Sequence, residues 1–145
     1  MLLGEYTHTI DEKGRMSVPS KFRKEFGKKM IVTHGLDNCL FAFSEKNWQK
    51  FSNELSKLSF ANSDNRKFTR FILGGAIEAE VDGAGRILLP DFLRKFAGLS
   101  GKAVFAGVHD RAEIWSEETW VAYKKGVEKN VDLLAERLGE MGVSL

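Results

Sequence analysis

From Glu5 to Ile10, apolar and polar positions alternate with a period of two. Tyr6, His8 and Ile10 share one parity and Thr7 and Thr9 the other, which predicts a β-strand. Phe22 and Phe26 stand four apart after Pro19, giving a short helix with one apolar side that Gly27 closes. Met30–His34 and Leu40–Phe43 read as paired strands around a turn at 35–38. Ser44 is placed to cap a helix with Glu45 at its positive end, and Trp48, Phe51, Leu55 and Leu58 form one buried stripe along it. A polar loop at 62–65 offers Asp64 as the next cap, ahead of a helix turning Phe68, Phe71 and Ile72 inward and ending at Gly74-Gly75.

The same order then recurs. Ile77, Ala79 and Val81 define a strand face, and Phe92, Leu93 and Phe96 a short helix. Residues 102–108 and 113–115 are strands around a His109-Asp110-Arg111 turn, and Ser116 caps a last helix. That helix repeats Val127, Val131, Leu134, Leu138 and Met141 at heptad-like spacing. The seam is expected to pack on its own chain or, preferably, on a neighbouring subunit.

A chain of 145 residues with 43% apolar and 11% aromatic content can build a core. No apolar run approaches the ~18 residues of a membrane span, and no signal-peptide pattern opens the chain. Cys39 is the single cysteine, which excludes an intrachain disulfide and fits a reducing compartment. The expectation is a soluble, cytoplasmic protein with no membrane partner. Net charge is only +2, but seven Lys/Arg against three acids lie between Asp11 and Met30. From Glu113 onward seven acids face four bases, so a cationic working face and an anionic remainder are expected.

One motif occurs twice. Asp11-Glu12-Lys13-Gly14-Arg15-Met16-Ser17-Val18-Pro19 returns as Asp82-Gly83-Ala84-Gly85-Arg86-Ile87-Leu88-Leu89-Pro90, with Asp, Gly, Arg and Pro offset by 71 positions each. Gly14 and Gly85 supply positive φ for a tight turn between strands. Each Asp can accept turn amides or hold the Arg four residues on, presetting the guanidinium. The apolar runs after each Arg read as buried strands stopped by Pro. An ion pair that merely ties a hairpin is the plain alternative. Duplication, with a basic segment behind each copy, favours a paired recognition surface.

Catalytic readings are weak. Gly83-Ala84-Gly85 suggests a dinucleotide fingerprint, but Leu88 stands where its third Gly is required. Cys39 near His34 is read as structural, and His8, His34 and His109 lack metal-ligand spacing. No catalytic residue, metal or cofactor is expected.

Two Asp-x-x-x-Arg turns within strand-turn-strand-Pro-helix units, joined by a helical pair, resemble the tandem SpoVT/AbrB-type domains of the MraZ family. Met1-Leu2-Leu3-Gly4 and Gly74-Gly75-Ala76 fit as well. The resemblance implies an α+β fold: two swapped-hairpin β half-domains forming an intrachain pseudo-dimeric barrel with peripheral helices. The half-domains are expected over 5–47 and 76–119, a helical connector over 48–75 and a C-terminal helix over 120–145. It further implies a nucleoid-associated transcriptional regulator that binds short G-rich direct repeats in promoter DNA, usually repressing its own division and cell-wall operon. Assembly into a homo-oligomeric ring of eight or more subunits is implied too.

By motif, Lys13, Arg15 and Arg86 are the expected DNA-binding residues, and Asp11, Gly14, Asp82 and Gly85 shape their turns. Lys21, Arg23, Lys24, Arg94 and Lys95 are candidates for phosphate contacts or for solubility alone. Ala84 replaces Lys13 in the second copy, so that turn carries less charge. The rival readings are an antitoxin-like module and a ring scaffold that binds a partner protein.

Overall fold

A computed structural model describes all 145 residues. Its strands are β1 (Leu2–Ile10), β2 (Arg15–Ser17), β3 (Lys29–His34), β4 (Leu40–Ser44), β5 (Ile77–Glu80), β6 (Arg86–Leu88), β7 (Gly101–His109) and β8 (Ala112–Ser116). The helices are α1 (Ser20–Phe26), α2 (Glu45–Ser56), α3 (Ser63–Gly74), α4 (Asp91–Ala97) and α5 (Glu117–Glu140). All eight strands join one antiparallel sheet in the order β5-β3-β4-β8-β7-β1-β2-β6. The end strands β5 and β6 are arms of one hairpin, linked by the Asp82 N–H donating to the Arg86 carbonyl at 2.9 Å. The sheet therefore curls into a nearly closed barrel.

The pairing shows how the halves exchange strands. β1 lies along β7 of the other half from Leu2↔His109 to Ile10↔Gly101, and β5 lies along β3 from Lys29↔Glu80 to Val32↔Ile77. The two remaining cross-half contacts pair equivalent strands, β2 with β6 and β4 with β8. The α+β pseudo-dimeric barrel is thus present, and neither half can complete its sheet alone.

Its main core holds 20 buried residues drawn from both halves, with Phe22, Phe105, Met16, Ile87 and Leu89 among them. Phe22 meets Tyr6 and Phe105 edge-on, at ring-centroid separations of 5.2 and 6.4 Å. A smaller cluster of Cys39, Phe41, Phe43, Val104 and Trp115 lies under Trp48, Phe51 and Trp120. Ser44 and Ser116 cap α2 and α5, accepting from the N–H groups of Asn47 and Thr119.

Several local expectations need correction. Asn62, not Asp64, caps α3 by accepting from the Asn65 N–H, because the helix begins at Ser63 and Asp64 already lies within its first turn. Leu58 lies past the end of α2 and is exposed, and of the expected stripe only Leu55 is fully buried, Trp48 and Phe51 being half-buried against the smaller cluster. Phe68 and Phe71 are also partly exposed, and only Ile72 of that helix is fully covered. Leu88 is 57% exposed while Ile87 and Leu89 are buried, since a strand one layer thick covers alternate residues only. None of the side chains of α5 is buried, so its seam does not fold back on its own chain.

Candidate nucleic-acid interface

Both turns have one construction. In the first, Asp11 Oδ1 accepts the backbone N–H groups of Lys13 and Arg15, each at 2.9 Å. Its Oδ2 takes the Arg15 Nε–H at 2.9 Å. In the second, Asp82 Oδ1 accepts from Ala84 and Arg86, and Oδ2 from Arg86 Nε at 3.2 Å. Gly14 and Gly85 close the turns at φ +89° and +77° and donate to the Asp carbonyls. Hydrogen bonds from the Arg15 and Arg86 backbones, the largest cause in each case, hold the Asp11 and Asp82 carboxyls below the ordinary 3.8. Anchoring by Nε leaves the outer guanidinium nitrogens of both arginines free to donate outward.

Strand pairing sets the two arginines side by side. Across β2 and β6, Met16 lies opposite Ile87, Arg15 opposite Leu88 and Arg86 opposite Ser17. Met16 and Ile87 are buried, so alternation sends Arg15, Ser17, Arg86 and Leu88 to the outer face. Arg15 and Arg86 lie diagonally there, at the ~7–8 Å spacing usual for such pairs. They are about two-fifths exposed. The result is a two-stranded ribbon with an aimed guanidinium on each side of its centre.

Each half also braces the other's turn. Val18 N–H donates to the Gly85 carbonyl at 2.8 Å, and Leu89 N–H to that of Gly14 at 2.9 Å. Arg23 Nε bonds the Val18 carbonyl and Arg94 Nε that of Leu89, both at 2.9 Å. A Cβ on Gly85 would collide with the Arg23 guanidinium, and one on Gly14 with that of Arg94. Arg23 and Arg94 are therefore the floor beneath the opposite turns. The sequence carried a signal for this, since both sit four residues after the motif's Pro at the same offset. Lys21, Lys24 and Lys95 are exposed, with Lys95 paired to Asp91 at 2.9 Å.

The cysteine is ill suited to chemistry. Burial pushes the Cys39 thiol up to about 12, and its Sγ–H donates to the Leu36 carbonyl at 3.1 Å. His34 instead stacks on Phe71 at 4.4 Å between centroids. No three His, Cys, Asp or Glu side chains gather as a metal ion would require, and no helix is long and apolar enough to cross a membrane.

Comparison with known proteins agrees with the duplication. The family model described as "MraZ protein, putative antitoxin-like" matches residues 1–71 and again 72–139. A transcriptional regulator MraZ from Caldanaerobacter subterraneus subsp. tengcongensis is 46% identical over 143 residues, 99% of this chain and 100% of its own. Its namesake from Caldicellulosiruptor saccharolyticus is 47% identical with the same coverage. The one from Carboxydothermus hydrogenoformans is 46% identical over 138 residues, 95% of this chain and 96% of its own. These relatives are named as regulators, not enzymes. Matched twice by the family model and nearly end to end by these relatives, the chain belongs to the MraZ family.

Proposed function

We propose that this chain is a sequence-specific DNA-binding transcriptional regulator that reads the major groove with its β2–β6 ribbon. The observation that carries the reading is the pair of Asp-buttressed arginines flanking the Met16↔Ile87 pair on one exposed face. A major groove admits a two-stranded ribbon, and arginine bonds guanine O6 and N7 with two hydrogen bonds. Arg15 and Arg86 read bases, and Lys13, Lys21, Lys24 and Lys95 meet phosphates. Arg23 and Arg94, spent through Nε on carbonyls, contribute positive field and support rather than specificity.

The targets are short G-rich direct repeats upstream of the protein's own division and cell-wall operon, which it represses from the nucleoid. A homo-oligomeric ring of eight or more subunits presents many ribbons to those repeats, with the α5 seam as subunit contact. One ribbon reaches few base pairs, so repeated sites engaged together supply the affinity.

Fluorescence anisotropy on the duplex upstream of this gene, against a scrambled duplex at near-physiological salt, tests the reading. Specific binding should exceed non-specific binding by ~10³-fold or more. That preference should vanish in Arg15→Ala and Arg86→Ala while assembly persists. Equal, salt-sensitive binding to both duplexes would overturn it and leave only a basic surface. The bare seam of α5 favours a second, antitoxin-like reading, in which a stoichiometric protein partner co-purifies and no DNA shift occurs.

A further inference from the structure

The pseudo-two-fold axis between β2 and β6 would exchange Arg15 with Arg86 and Ser17 with Leu88. The arginines obey that symmetry and the other pair breaks it. One side of the ribbon carries Arg15 facing Leu88, and the other carries Arg86 facing Ser17. Lys13 sits in the turn on the Arg15 side, and Ala84 in the turn on the Arg86 side. Leu88 belongs to neither core cluster and is 57% exposed between two buried neighbours. Isolated surface leucines are ordinary. This one is set apart by its place, directly across from an aimed guanidinium on the face that the proposed function turns toward DNA.

We infer that Leu88 is a specificity residue: it seats against the 5-methyl group of a thymine beside the base pair read by Arg15, and so gives the ribbon a direction along the duplex. The inference rests on the DNA-binding reading above and deepens it. Directly opposed side chains have Cβ atoms ~4.5–5.5 Å apart, comparable with the ~3.4 Å rise per base step, so Arg15 and Leu88 address the same or adjacent pairs. Guanine presents two acceptors in the major groove and thymine a methyl group, so an Arg–Leu couple suits a guanine next to a thymine. The Arg86–Ser17 couple has no apolar surface for a methyl, and a hydroxyl accommodates either kind of base edge. A pseudo-symmetric fold thereby reads an asymmetric element.

The probe is the tightest duplex that the wild-type full-length chain selects from a random pool. Each thymine in it is replaced in turn by deoxyuridine, which removes only the methyl group. Wild-type protein should lose about four-fold in affinity per contacting ribbon at one thymine next to an Arg15-dependent guanine, and little at the others. Leu88→Ser, which copies the residue of the first motif and so suits the strand, should bind the unmodified duplex more weakly by a similar factor. It should also be insensitive to deoxyuridine at that thymine, with an unchanged melting temperature. Undiminished affinity in Leu88→Ser, or a methyl dependence that survives in it, overturns the inference alone, provided Arg15→Ala still abolishes specificity. Full specificity in Arg15→Ala would overturn the DNA-reading proposal beneath it.

Discussion

Asp11 and Asp82 are half-exposed acids whose role is geometric. Each spends one oxygen on two backbone amides and the other on an arginine Nε, so turn and guanidinium are oriented by one carboxylate. Arg15→Lys should keep the charge and lose the planar fork. Discrimination between the selected and a scrambled duplex should fall by ~1–3 kcal/mol, while salt dependence stays near wild type; anisotropy over a salt series checks both. The depressed carboxyl pKa has a consequence for folding as well. Asp11 and Asp82 bind protons less readily in the folded chain than in the unfolded one. Their stabilising contribution is therefore complete above the ordinary value of 3.8 and is lost as pH falls through the lower folded pKa. Thermal melts should show wild type losing more stability than Asp11→Asn/Asp82→Asn as pH drops from about 5 to 2, since the amide has no proton to gain.

The Asp-x-x-Gly-Arg-to-Pro element is the part most plainly written in the chain. Asp, Gly, Arg and Pro each have a local job, so their order announced the turn, the strand and the stop. Helix caps at Ser44 and Ser116 were equally local and were found where expected. What the chain did not announce was cross-half. That Arg23 lies under Gly85 and Arg94 under Gly14 depends on strands brought together from 71 residues away. The α3 cap went to Asn62 over Asp64 because neighbouring polar residues compete within a residue or two of one another. Gly85→Ala should destabilise by about 2 kcal/mol or more, combining positive-φ strain with the clash against Arg23. The same substitution should cost less in an Arg23→Ala background, where the clash is gone and only the strain remains. Chemical denaturation of the four proteins of that cycle would reveal the coupling; additive costs would mean that Arg23 moves aside freely.

The barrel and the helices packed around it account for the first 116 residues, and α5 then carries the chain away from them. At 24 residues the helix is ~36 Å long. Contact with the barrel is confined to its start, where Trp120 and Tyr123 lie on Trp115 at 5.3 and 4.8 Å and Lys124 pairs with Glu5 at 3.1 Å. Beyond that point Val131, Leu134 and Leu138 expose 51, 38 and 43% of their surface. A seam at heptad spacing needs an apolar partner, and the chain itself supplies none. Another subunit is the partner that the proposed assembly provides. Leu134→Glu with Leu138→Glu should then yield particles of single-chain mass by light scattering, with the barrel's melting transition intact. On a duplex with two boxes, affinity should drop by 10²-fold or more, because linked binding events become independent. Affinity for a single box should hardly change. Were the double variant to remain a large particle, α5 would not be the subunit contact. Were it to dissociate yet keep its two-box affinity, each ribbon would bind by itself, and the proposed link between assembly and repeated boxes would fail.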